Sequence, residues 1–226
     1  MPTSALIPVT RRSLESQAID ALREFIISGE ITPGTRVTET ELAEQIGVAR
    51  ATVRTVLSRL ADEGLVVKVP YTGWHVLQLT PQAVWEIWTL RGGLESLAAR
   101  LVVQQGEPDV LDRIQHAHRR LVAACARGDV QEISERDFDF HRSIVEGSGN
   151  QRLIRQYQLV AQQVRMYIRT SNAHVASGAG DILTQHAPIA AALAGGVPDA
   201  AAHAAWLHNE QEGQRLLAWM ELAHDE

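Results

Sequence analysis

A mainly α chain in two parts is what three features of the 226-residue sequence predict. Short helical segments closed by a hairpin pattern fill the first 80 residues. Thr80–Pro81 forms a sharp boundary, and everything beyond it is periodic at helix length between glycine-rich turns. The predicted domains are 1–80 and 81–226, each long enough to bury its own core.

Ser13 is suited to cap "LESQAIDALREFIISG", where Leu14, Ala18, Leu22, Phe25 and Ile26 recur at helical spacing and Gly29 closes the run. After a Thr32–Gly34 turn, Thr38 and Glu41 have capping-box spacing ahead of the short helix "ETELAEQI", which stops at Gly47. The next helix, "RATVRTVLSRLADE", sets Val53, Val56, Leu57 and Leu60 on one face and ends before Gly64. "LVVKV", a turn through Pro70 to Gly73, and "WHVLQL" read as a β-hairpin. Helix, helix–turn–helix and hairpin, in that order, make an N-terminal winged helix–turn–helix domain.

Thr80 then caps a helix with Pro81 at its first position. Six helices are predicted, near 81–105, 108–127, 129–147, 150–175, 181–195 and 198–224. They are parted by "GEP", "GD", "GSGN", "SGAG" and "GGVP", all turn chemistry. The second part is thus an all-α six-helix bundle, joined with almost no linker.

With 45% apolar and 21% charged residues the balance is that of a soluble globular protein. No apolar run nears the ~18 residues a membrane span needs. Residues 1–12 are too short and too weakly apolar for a secretory signal. Cys125 is the single cysteine, which excludes a disulfide framework and a Cys-rich zinc site. A cytoplasmic location, with no membrane partner, is the expectation. The net charge of −6 excludes a surface that binds nucleic acid all over, so any such surface is a local patch.

That patch is predicted at the start of the third helix. Arg50 and Arg54 are i,i+4 partners on one face, with Thr52 beside them and Arg59 adding charge. Residues 49–59 hold these three arginines and no acid. The second helix of a helix–turn–helix enters the major groove by its N-terminal end, where arginine reads guanine through two donors. A solvated helix face is the plainer alternative. Gly73 in the wing turn would let the backbone approach phosphate.

In the bundle, "ERDFDFHRSIVEGSGN" places two aspartates and a histidine within five positions. On a helix Asp137 and His141 share a face, whereas Asp139 points about 200° away from Asp137. Phe138 and Ile144 are suited to the core. The Asp–His pair reads as an ion pair, a hydrogen bond or half of a metal site. His186 and His208 sit in apolar surroundings on separate helices, and three imidazoles with a carboxylate form a divalent-metal set. His203, five residues before His208, lies about 140° around the helix and is a poor co-ligand, while His75, His116, His118, His174 and His224 read as wing, solvated-surface or helix-end positions.

The stretch "GEITPGTRVTETELAEQIGVARATVRTVLSRLADEGLVVKVPYTGWHV" resembles the reading domain of the GntR family of bacterial transcriptional regulators. The features that carry it are Gly-x-x-x-x-Pro-Gly, Glu-Leu-Ala, Gly-Val before the turn, Arg-x-x-x-Arg and Glu-Gly-Leu. The resemblance implies a homodimer on a short palindromic operator in double-stranded DNA. Ala49 stands where the family usually carries a capping Ser or Thr, and Thr40 where some members carry a DNA-contacting arginine.

Residues from about 81 to 218 resemble the FCD domain of the FadR subfamily, and six helices fit its VanR-like branch. Asp137, His141, His186 and His208 match that family's motif, which implies a divalent metal, commonly zinc and sometimes nickel or manganese. It also implies a small carboxylic-acid effector. One Asp and three neutral His would leave a divalent ion with a net charge of about +1, which a carboxylate neutralises. Arg91 matches a family arginine that clamps the acid, against the alternative of a salt bridge to Glu95. Arg165 and Tyr167 are further effector candidates. The resulting expectation is a regulator, most simply a repressor, and not an enzyme. A metal-dependent enzyme with a DNA-binding head and a sensor of the metal itself are the alternatives; against the enzyme, no glutamate base is evident beside the ligands.

Overall fold

The computed structural model describes residues 13–176 and 178–224. The predicted reading of residues 1–12 and the side chain of His224 lie outside what is described. The chain divides into two compact units, Met1–Leu77 and Gln78–Glu226.

The first unit contains α1 (Leu14–Ile27), β1 (Arg36–Val37), α2 (Glu39–Ile46), α3 (Arg50–Asp62), β2 (Val66–Val69) and β3 (Gly73–Val76). Ser13 caps α1 by accepting from the Ser16 amide. Thr38 caps α2 by accepting from the Glu41 amide, and its hydroxyl donates to Glu41 Oε2 at 2.7 Å. Ala49 offers α3 no such bond, so one of that helix's free amides goes without a side-chain partner. Leu22, Ile26, Val53, Val56, Leu57 and Leu60 form the core between α1 and α3.

The strands form one antiparallel sheet in the order β1-β3-β2. The sequence pattern missed β1, because two residues are too few for any alternation to register. The second hairpin strand, read as running to Leu79, ends at Val76, where Val76 donates back to the Thr35 carbonyl and Leu77 to that of Leu65.

The second unit is all helix: α4 (Pro81–Gln105), α5 (Pro108–Arg127), α6 (Val130–Gly147), α7 (Gln151–His174), α8 (Ala179–Ala194) and α9 (Pro198–His224). Thr80 accepts from the Ala83 amide ahead of Pro81, and Asp129 and Asn150 cap α6 and α7 in the same way. The principal packing is α4 along α9, with α5, α6 and α7 following in sequence. The two long helices approach closely where Trp88 lies against Gly213; a Cβ there would sit 2.4 Å from Trp88 Cδ1. That packing places one face of α4 and one face of α9 opposite the apolar face of α6.

Candidate functional site: a buried histidine centre and a helix-borne arginine face

Asp137 and His141 are both buried on α6, on the face that also carries Ile133, Ile144 and Val145. Asp139 is on the other side, bonded to Arg136 and Arg142 at 2.7 and 2.8 Å. His186 on α8 and His208 on α9 meet the α6 pair in the interior. One ring nitrogen from each of the three histidines lies within 4.8 Å of the others. His141 Nε2 and His186 Nε2 are 3.1 Å apart, and Asp137 Oδ1 is 3.3 and 3.1 Å from them.

The hydrogen bonds fix what these atoms present. His186 Nδ1 faces the Ile182 carbonyl at 2.7 Å and His208 Nδ1 that of Gln185 at 3.3 Å. A nitrogen facing a carbonyl must donate, so in each neutral ring Nε2 carries the lone pair. His208 Nε2 is buried with no hydrogen-bond partner. Asn172 donates to Asp137 Oδ2 at 3.0 Å, leaving Oδ1 to face the rings. His141 Nδ1 lies 2.9 Å from Glu95 Oε2, although off the line of a good hydrogen bond. A carboxylate behind a ligating imidazole is the usual outer support of a metal-binding histidine.

The ionisation states follow from this crowding. Burial opposes charge on Asp137, but His186 and His141 outweigh it and hold the carboxyl well below its ordinary range. Burial would lower His141, but Glu95 outweighs it and the ring is pushed up. His208 is driven well below its ordinary value by burial, then by His186 and His141. Imidazole nitrogens and a carboxylate oxygen gathered in the interior make a set of donors that could hold a cation. The donor set, nitrogen and oxygen at spacings spanned by bonds of about 2.0–2.2 Å, fits a divalent transition ion.

A second layer surrounds this centre. Arg91 is fully buried and donates through Nε to Glu95 Oε1 and through Nη1 to Glu212 Oε2, each at 2.8 Å. Tyr157 Oη and Asn209 Nδ2 also donate to Glu95, at 2.9 Å each. Arg91 outweighs the burial penalty on Glu95, with His141 next, and holds its carboxyl far below the ordinary range.

In the first unit, Arg50, Arg54 and Arg59 are exposed on α3 and Thr52 is half-buried. Arg54 makes a two-pronged pair with Glu39 of α2, Nε to Oε1 at 3.0 Å and Nη2 to Oε2 at 2.8 Å. Gly73 opens β3 with φ +97°, and Tyr71 at the wing tip is fully exposed with φ +67°.

Residues 86–211 match the model of the FCD domain, and residues 14–76 that of the bacterial regulatory proteins of the gntR family. This chain belongs to the GntR family and carries an FCD domain. A protein from Paenarthrobacter nicotinovorans, named as a probable D-xylose utilization operon transcriptional repressor, is 27% identical over 88% of this chain and 87% of its own length. An HTH-type transcriptional regulator from the TAR-I ttuE-ttuC' intergenic region of Agrobacterium vitis is 31% identical over 58% of this chain and 78% of its own. Escherichia coli McbR/YncC has the same fold, with a TM-score of 0.73 at 22% identity over 91% of this chain and 98% of that one. A GntR regulator from Rhodococcus sp. RHA1 matches at 0.75 and 22% identity, over 90% and 97%. The GntR chain is accordingly a DNA-binding transcriptional regulator and not an enzyme. No helix among the described residues is long and apolar enough to cross a membrane.

In this GntR regulator Arg91 takes its salt-bridge alternative, and His118 departs from its sequence reading. Arg91 does not present a free guanidinium: Glu95 and Glu212 hold two of its nitrogens, and Nη2 alone is unpartnered. Arg165 and Tyr167 are two residues apart on α7, so they face opposite ways. Tyr167 lies under Arg91 at 5.8 Å, its hydroxyl buried and unpartnered; Arg165 lies over Phe138 and donates to Gln162. His118 is half-buried against Phe140 at 5.3 Å rather than solvated.

Glutamates do stand beside the histidines, contrary to the sequence reading. Glu95 is 46 positions from His141, beyond any local pattern. Glu212 had a signal, since His208 and Glu212 share the i,i+4 spacing of Asp137 and His141, and Glu212 Oε2 lies 3.6 Å from His208 Nε2.

Proposed function

We propose that this GntR regulator is an operator-binding repressor whose DNA affinity is set by what occupies the buried centre of its FCD domain. Asp137, His141, His186 and His208 hold a divalent metal there, most simply zinc, with nickel or manganese as other ions of suitable chemistry. A small organic acid is the effector, with Arg91 and Tyr167 lining its place. The single observation that supports this most is the burial of three imidazoles from α6, α8 and α9 with ring nitrogens within 4.8 Å of one another, and with Asp137 Oδ1 at 3.3 and 3.1 Å from those of His141 and His186.

In the reading domain, Arg50, Arg54 and Arg59 present cations on the exposed face of α3, and Thr52 and Gly73 line the same approach to DNA. Glu39 holds the Arg54 fork in place through Nε and Nη2, which leaves the Nη1 donors and the second Nη2 hydrogen for a base edge or a phosphate. A homodimer on a palindromic operator supplies two such faces. The metal would fix α6, α8 and α9 to one another, and only a ligand with unequal affinity for two arrangements can shift DNA binding.

The test is a gel-shift series on the promoter flanking the chain's own gene, with apo protein, zinc-loaded protein and zinc-loaded protein plus candidate acids. Retardation that changes with zinc or acid is expected. Absence of any retardation would sink the DNA reading. Equal affinity in all three states would remove the centre from regulation. Small carboxylic acids and sugar acids are the first classes to screen.

A further inference from the structure

We propose that Glu212 is an internal carboxylate that holds the anion position of the histidine centre, so that an acid effector binds by displacing it. This rests on the metal reading above. Three observations carry it. Glu212 Oε2 is 2.8 Å from Arg91 Nη1 and 3.6 Å from His208 Nε2, between the cation and the ligand set. Glu212 is itself buried, 4% exposed, so its charge is answered by the protein and not by water. The donors an acid would use are left over: Arg91 Nη2 and Tyr167 Oη are buried without partners.

Charge decides the consequence. Arg91 contributes one positive charge, and Asp137, Glu95 and Glu212 three negative ones. The resulting two negative charges are cancelled by one divalent ion, so the loaded centre is neutral. Counting only Asp137 and the histidines gave +1, and that surplus was the reason to expect an added anion. In the full count a carboxylate added to the loaded centre makes a buried net negative charge, which is costly. A carboxylate exchanged for Glu212 leaves the count unchanged. It also gains geometry, because a free acid can meet Arg91 Nη1 and Nη2 together, whereas Glu212 is recorded on Nη1 alone. The effector class is therefore a small carboxylate able to take both of these nitrogens, and its cost of entry is the release of Glu212. Because Glu212 is on α9, four residues from His208, its release would act on that helix directly.

Full-length protein loaded with zinc, with acetate as the probe, tests this by titration calorimetry. Glu212→Gln removes the competing charge, makes the loaded centre +1, and is expected to bind acetate at least about tenfold more tightly than wild type, about 1.4 kcal/mol. Its zinc affinity should fall. Acetate affinity equal to or weaker than wild type in a folded Glu212→Gln protein overturns the proposal, while zinc binding that His208→Ala abolishes would leave the metal reading standing. Failure of wild type to bind zinc overturns both. A crystal structure of zinc-loaded wild type, grown without carboxylate buffer, needs no variant. Glu212 on the ion or bridging it to Arg91 is expected, and a water in that place with Glu212 turned away refutes the idea.

Discussion

Arg91→Met is the most informative single change, because it keeps an unbranched apolar stem and removes the charge and its donors. Two buried hydrogen-bonded ion pairs disappear, to Glu95 Oε1 and Glu212 Oε2, both at 2.8 Å. The two carboxylates are not left equally placed. Glu95 keeps Tyr157 Oη and Asn209 Nδ2, whereas Glu212 keeps, among the described residues, only the 3.6 Å contact with His208. Breaking a buried pair and stranding its partner costs about 3–5 kcal/mol. For a unit of this size, where 1 kcal/mol moves the midpoint by roughly 2–4 °C, the bundle's Tm should drop by roughly 6–20 °C. Most of the loss belongs to Glu212, so the double variant Arg91→Met/Glu212→Gln should recover part of it, about 1–2 kcal/mol. Zinc should rescue the single variant more than it stabilises wild type, since the ion replaces the missing cation. Thermal melts by circular dichroism, with and without zinc, measure all of this. A single variant as stable as wild type, or a double variant less stable than the single, would refute the reasoning about the stranded carboxylate.

Other expected outcomes follow from particular contacts. Gly213→Ala drives a methyl into the Trp88 ring and should destabilise the α4–α9 packing by about 1–3 kcal/mol, read by urea unfolding; an unchanged midpoint would mean that the helices separate at no cost. Ala49→Ser supplies the side-chain cap that α3 lacks and should stabilise the reading domain by about 0.5–2 kcal/mol, with no gain in unfolding midpoint as the contrary result. Chelating the metal from protein held at 100-fold the dissociation constant should remove about 2.7 kcal/mol of bundle stability, and a melt insensitive to chelator would speak against a resident ion. Arg54→Ala should weaken operator binding by about tenfold while leaving the melt nearly unchanged, because the Arg54 side of its pair with Glu39 is exposed; the gel shift and the melt together check both halves.

The helices were legible because their signals are local. Thr80–Pro81, Asn150 and the glycine turns each act within one turn of chain, and the structure ends its bundle helices within a few residues of those marks. Asp137 and His141 were legible for the same reason: i,i+4 spacing settles which side chains share a face and sets Asp139 aside. Strand β1 was not, since its two residues gain strand character only from pairing with β3. Trp88 against Gly213 was not legible either, because close approach of two helices depends on side chains 125 positions apart.

The sequence by itself determined the order of elements, the two-part division and which residue types could bind an ion. Tertiary structure alone decided the charge of the centre. Arg91 read as either a clamp or a salt bridge to Glu95 until packing set Glu95 and Glu212 against it together, and a buried charge takes its meaning from every other charge within a few ångströms, whatever their distance along the chain.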